Sequence, residues 1–150
     1  MSRVLLTALS CFILGSGIVW SGEERPNAAK NLQGKWRGTT LKINNVEAAV
    51  EDAKAFQVTM KGDEMILMTC RGDRCIERKK TFRIDPTKTP MEIDLTSLDG
   101  AEKGQTQLGI FSMEEGRWKL CVPFSGGGRP TTFKTKVDDG LMVIELERVE

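Results

Sequence analysis

The stretch "MILMTCRGDRCIERKKTFRI" (65–84) reads as two strands joined by a short turn. Met65 to Cys70 forms one arm and Cys75 to Ile84 the other, and the four residues between the cysteines suit a four-residue hairpin loop. Cross-strand neighbours have Cβ atoms about 4.5–5.5 Å apart, near enough for a disulfide after a small adjustment. Closing so short a ring is worth about 2 kcal/mol in the loop-entropy model. Two thiolates without a histidine or two further cysteines do not complete tetrahedral zinc. The pair also lacks the two-residue spacing and the helix N-terminus that lower a thiol pKa in redox-active sites. Cys70 and Cys75 are therefore read as a structural staple. Arg71-Gly72-Asp73 inside it is also the tripeptide that animal adhesion receptors recognise. Turn chemistry accounts for it first, with Gly for positive φ and Asp for a local hydrogen bond.

The same two-residue period runs through the rest of the chain. Phe56, Val58 and Met60 alternate with polar neighbours, as do Met91, Ile93 and Leu95, then Trp118, Leu120 and Val122, then Met142, Ile144 and Leu146. Each set presents one apolar and one polar face, the pattern of antiparallel strands around a single core. Turn signals fall between the runs at 61–63, 85–87, 99–100, 115–116, 125–130 and 139–140. Eight or nine strands at near-regular spacing predict an all-β sandwich or barrel, and consecutive hairpins favour an up-and-down antiparallel barrel. Two segments break the period. Residues 27–33 predict a short helical turn entering the first strand, and "VEAAVEDAKA" (46–55) predicts a connection that folds across one mouth of a closed barrel.

The N-terminus supplies an address. Arg3 precedes an apolar run from Val4 to Leu14, and Val19-Trp20-Ser21 places small side chains where a signal peptidase reads. This pattern predicts a secretory signal over 1–21, cleaved near Ser21, followed by an N-terminal segment 22–31 and one domain over 32–150. A membrane anchor would need about 20 strongly apolar residues, and this run is shorter and interrupted, so no stable membrane insertion is expected after cleavage. Cys11 lies inside the apolar run rather than at its end, which argues against lipid attachment. An exported protein, periplasmic or secreted, meets the oxidising conditions in which a disulfide persists.

Composition removes several function classes. The chain has 22 Lys and Arg against 21 Asp and Glu, and loss of Arg3 with the leader balances them. The signs alternate along the chain, so no electrostatic footprint for nucleic acid appears. No histidine is present. That removes the commonest general base, the Ser–His and Cys–His nucleophile systems and the commonest metal ligand.

"LQGKW" (32–36), ahead of a meander, is similar to the lipocalin signature, in which the Trp closes the barrel floor under an Arg of the last strand. The resemblance gives those roles to Trp36 and Arg148, which shares a strand face with Ile144 and Leu146. A flat cation over an indole is worth about 0.5–2 kcal/mol. The segment 82–136 resembles a lipocalin-like domain family abundant in exported planctomycete proteins. Phe82, Asp85, Pro86, Thr87, Lys88, Pro90, Ile93, Asp94 and Thr96 match its first motif. Asp99-Gly100, Lys103-Gly104, Leu108 to Phe111, Leu120-Cys121, Arg129 to Thr131 and Phe133 match the rest. The resemblance covers the chain from Leu32 onward and implies a lipocalin-like barrel with no established activity. The Cys70–Cys75 pair departs from the family's pattern.

Little in the chain points to catalysis. Cys121, between Leu120 and Val122, reads as a small buried filler without a His to activate it. "SGGGRP" (125–130) lacks the Gly-Lys-Ser/Thr and following helix of a phosphate loop, and reads as a flexible hairpin loop leading into a strand at Thr131–Phe133. Adjacent acids at 23–24, 114–115 and 138–139 diverge and stay solvated, whereas glycosidase chemistry needs carboxylates converging across a cleft. Asp85, Asp94 and Asp99 read as turn and rim residues.

The expectation is a non-enzymatic binding module, with no cofactor and no metal, holding a small apolar or amphipathic molecule in the barrel. Its wall would be Phe56, Val58, Met60, Phe82, Ile93, Ile110, Leu120 and Ile144, with Met65, Met68, Met91, Met113 and Met142 adaptable packing around it. Eight strands sit at the boundary between filled and ligand-holding barrels. A solid barrel working through its loops at 71–74 and 125–130, as an envelope structural or interaction domain, is the alternative; a hydrolase comes third.

Overall fold

The computed structural model describes residues 27–124 and 126–149. The proposed leader 1–21, its cleavage at Ser21, residues 22–26 and the Glu23-Glu24 pair lie outside the described residues.

A five-residue helix, α1 (Ala28–Leu32), leads into β1 (Gly34–Ile43). The two-residue β2 (Val46–Glu47) and α2 (Val50–Lys54) then precede seven strands: β3 (Phe56–Lys61), β4 (Glu64–Arg71), β5 (Arg74–Asp85), β6 (Met91–Ser97), β7 (Thr106–Glu114), β8 (Arg117–Pro123) and β9 (Leu141–Val149). From β3 onward each strand pairs antiparallel with the next, β3 pairs β1, and β9 returns to β1. Eight strands thus close an up-and-down barrel, and β2 pairs with the last two residues of β1 on the edge away from β9. Closure leaves little free strand edge, which is how a chain of short hairpins avoids edge-to-edge association.

The hairpins follow from their turn residues. Cys70 and Cys75 are direct cross-strand partners, and their disulfide joins Cα atoms 4.1 Å apart. The loop is shorter than the sequence suggests, because Arg71 and Arg74 still pair and only Gly72 and Asp73 remain between them. Gly72 takes φ +57°, as the first central position of a II′ turn requires. The β3–β4 hairpin uses the same chemistry, with Lys61 opposite Glu64 and Gly62 at φ +62° before Asp63. That a second Gly-Asp pair closes a neighbouring hairpin accounts for Arg71-Gly72-Asp73 through its local geometry.

One end of the barrel is filled. Trp36, Trp118, Phe111, Ile93, Leu95 and Leu146 are almost wholly buried, and Val58, Met60, Met65, Phe82, Leu120 and Ile144 pack with them. The two indoles meet edge to face, 5.7 Å between centroids at 70°. Trp36 Nε1–H donates to the Leu32 carbonyl (2.8 Å), and the Arg148 guanidinium lies 4.4 Å from the Trp36 ring centre. Arg148 also donates to the carbonyls of Gln33 and of Asn31 (2.7 Å), satisfying oxygens that the end of α1 leaves without helical partners. The Gln33 side chain bonds both backbone groups of Gly62, tying this floor to the β3–β4 turn.

The other end is built differently. β1 pairs β3 only from Gly34 to Arg37, whereas on its other edge it pairs β9 from Lys35 to Ile43, with a bulge between Gly38 and Thr40. α2 occupies the gap, with Ala53 fully buried against Gly38. The long first connection therefore seals a seam beside the mouth rather than spanning it.

The chain after β8 corrects two expectations. Residues 131–133 form no strand, and the segment ending at Gly140 lies along the outside of the barrel. Arg129 pins it there, donating to the carbonyls of Ile93 (3.2 Å) and Gly109 (2.6 Å) and to Asp94 (2.6 Å), with Glu92 at 3.4 Å. Such charge-assisted bonds are about twice as strong as neutral ones, which explains why a glycine-rich run is held to the wall. Beneath the strap sits a second apolar cluster of Ile110, Cys121 and Val143, flanked by Phe133 and Leu141. Ile110 is therefore on the outer face of β7: Phe111, not Ile110, pairs with inward-facing Leu120, and a strand alternates its faces.

Candidate functional site

Above the filled half the barrel opens into a cavity of about 360 Å³. This lies within the range of roughly 300–1,000 Å³ typical of small-molecule sites. Phe56, Leu67, Val122 and Met142 form apolar wall, and Lys80, Ser97 and Gln107 form a polar floor on one side. Arg78, Asp99, the 100–102 turn, Pro123 and Phe124 make the rim.

The polar side follows from strand parity. Phe82 points inward on β5, so Lys80 and Arg78 share its face, and Lys80 sits opposite Ser97 on β6. Gln107 comes from β7, two residues before Gly109 and four before buried Phe111. Lys80 is only 7 % exposed. Its ammonium donates to Ser97 Oγ (2.7 Å) and Gln107 Oε1 (3.0 Å), and Gln107 Nε2 donates onward to the Pro123 carbonyl (3.0 Å). Burial pulls the Lys80 pKa below its ordinary value; Glu102 and Asp99 oppose that shift and Arg78 reinforces it. Asp99 Oδ2 accepts the Lys79 backbone N–H (3.0 Å), while Oδ1 is buried without a hydrogen-bond partner among the described residues.

Of the eight residues expected to line a ligand site, Phe56 alone is on the cavity wall. Val58, Met60, Phe82, Ile93, Leu120 and Ile144 face inward but belong to the packed half, and Ile110 lies under the outer strap. Sequence reasoning passed over Lys80, Ser97, Gln107 and Leu67. "ERKKTF" (77–82) looks like a solvated charge run, yet counting back from Phe82 in twos places Lys80 and Arg78 inside.

The remaining chemistry-bearing groups are occupied by structure. Asp139 accepts the backbone N–H groups of Lys136 and Leu141, and Glu114 and Glu115 are exposed at the β7–β8 turn. Thr87, through its hydroxyl and its N–H, holds the Asp85 carboxyl below its ordinary pKa. No group of three or more candidate metal-binding side chains occurs among the described residues.

Cys121 is fully buried, and burial, helped by Asp139, pushes its pKa from an ordinary 9.0 up to about 11. Thiolate reagents at neutral pH should therefore leave the folded protein unlabelled, and should modify this thiol once denaturant exposes it. Labelling at equal rates in both states would contradict the buried outer cluster. The linkage has a definite sign. Between pH 9 and 11 the folded thiol keeps a proton that the unfolded one releases, so stability falls as pH rises through that window.

Solved structures of low sequence identity match this chain. A lipocalin-like protein from Bacteroides uniformis matches with a TM-score of 0.51 at 9 % identity, covering 78 % of this chain and 98 % of its own. An uncharacterized protein from Bacteroides eggerthii matches with a TM-score of 0.47 at 8 % identity, covering 77 % and 98 %. The first shares the lipocalin-like barrel architecture described above, and at that identity the likeness concerns fold alone. No protein-family model matches the chain, and no curated protein does.

Proposed function

We propose that this chain is an exported, non-enzymatic lipocalin-like binding module that holds a small amphipathic molecule in the open mouth of its barrel. The observation that carries the reading is the half-filled interior. Large side chains stop partway up, and above them about 360 Å³ is left between apolar wall and a few polar groups. Burying apolar surface there is worth about 25 cal/mol per Å², and the polar groups would set orientation. Export is supported by the Arg3-to-Ser21 pattern, by the resemblance of 82–136 to exported planctomycete domains and by the Cys70–Cys75 disulfide.

Melting tests the proposal. A ligand present at a hundred times its Kd adds about 2.7 kcal/mol, which raises the midpoint of a chain this long by roughly 10 °C. A panel of medium-chain amphiphiles should include compounds that produce such shifts. Native mass spectrometry of protein purified from its own envelope fraction should show an excess mass that is lost on unfolding. If no amphiphile shifts the midpoint and no excess mass is seen, the second reading takes over. That reading is an envelope interaction domain working through the exposed, disulfide-stapled turn at 71–74.

A further inference from the structure

We infer that the molecule held in the mouth carries an anionic head group, which seats on the Lys80 ammonium while its apolar tail lies along Phe56, Leu67, Val122 and Met142. The inference rests on the binding reading above and specifies its ligand class.

Lys80 is the one charged residue among the described ones that is buried. An ammonium carries three N–H donors, and two of them go to neutral oxygens, on Ser97 and Gln107. None of the ion pairs in the described structure involves Lys80. A cation removed from water and answered only by neutral acceptors is unfavourable unless something charged joins it. Charges do surround it, at greater distance. Arg78 on its own strand reinforces an attraction for anions. Asp99 and Glu102, from the β6–β7 turn, oppose it.

The balance favours the cation at depth. Asp99 gives one oxygen to the Lys79 N–H and keeps the other buried without a partner but in no ion pair with Lys80, and Glu102 is exposed, where water screens it. Neither acid occupies the polar floor, which Lys80, Ser97 and Gln107 make between them. Gln107 is held by the Pro123 carbonyl and keeps its oxygen turned to Lys80, so the floor is set before any ligand arrives. The remaining donor is available to a carboxylate or a similar anion, and a charge-assisted bond of that kind is stronger than one to a neutral hydroxyl.

The test uses three probes with the same tail: octanoate, 1-octanol and octylammonium. Each is titrated calorimetrically into the mature protein at neutral pH and low salt. Octanoate should bind at least tenfold more tightly than octanol, and octylammonium most weakly. In Lys80→Met, which keeps an unbranched side chain and removes the buried charge, the preference for octanoate over octanol should disappear. A melting curve verifies that the variant is folded, and the three-probe comparison on the unmodified protein stands without it. Octanoate no tighter than octanol, octylammonium tightest, or a preference that survives Lys80→Met would each overturn the anionic head while leaving the binding module intact. Failure of all three probes to bind would overturn the cavity reading, and this inference with it.

Discussion

Trp36→Ala should cost about 3–5 kcal/mol of stability, the range for removing a large aromatic from a close-packed core. Against a typical total of about 5–15 kcal/mol, that removes a third or more of the stability of all but the most stable domains. The indole is 1 % exposed and joins three parts of the floor: its N–H holds the Leu32 carbonyl, its face carries Arg148, and it meets Trp118 edge to face. Alanine removes all three contacts and leaves a cavity between α1 and the barrel. Trp36→Phe separates the contributions. It keeps a ring for Arg148 and Trp118 but leaves the buried Leu32 oxygen without its donor, a loss of about 1–3 kcal/mol. Urea unfolding followed by circular dichroism measures both, and the alanine variant should have the lower midpoint at an unchanged slope. If it unfolds within 1 kcal/mol of the parent, the floor is not what closes this barrel.

The floor was legible in the sequence for a simple reason. "LQGKW" resembles the lipocalin signature, which sets a Trp under an Arg of the last strand, Arg148 shares a two-residue period with Ile144 and Leu146, and the register brings Trp36 opposite Arg148. The turn at Glu115-Gly116 was legible too, since both residues take the positive φ angles that a two-residue hairpin loop of this kind demands. Ile110 was not. Ile110 and Phe111 are adjacent and both apolar, so either parity gives β7 a hydrophobic face. The choice is made by the strap, whose Arg129 reaches the Gly109 carbonyl from residues far along the chain and whose Phe133 covers Ile110.

The mouth was missed for the opposite reason. Period-two reading assigns apolar residues inward and treats charged ones as solvated, which holds for most strands with one wet face. A barrel packed at one end and open at the other breaks this rule at Lys80 and Arg78 on β5, Ser97 on β6 and Gln107 on β7. β5 runs past the packed layer at Phe82, so its next two inward positions are Lys80 and Arg78. Where parity and polarity disagreed, parity was right. The disagreement marks the place where the fold departs from a uniform core, and such departures concentrate at working sites.

Gly38→Ala is the smallest substitution with a large expected effect. A Cβ at that position would lie 2.1 Å from the Ala53 carbonyl oxygen and 3.0 Å from its carbon, both backbone atoms. No side chain can rotate away, so either β1 or α2 must move. Overpacking of this kind costs about 1–3 kcal/mol, and a backbone clash belongs at the upper end. The damage is also directional. β1 and β3 stop pairing at Arg37, and α2 closes the seam beyond that point. Pushing α2 outward should expose residues 48–55 to protease, with trypsin cutting after Lys54 sooner than in the parent, and should weaken binding in the adjoining mouth. Gly128→Ala is the matched control, because nothing lies within 4 Å of a Cβ there; it should stay within about 0.5 kcal/mol of the parent. Equal midpoints for the two variants would mean that α2 rests on β1 loosely and does not seal the seam.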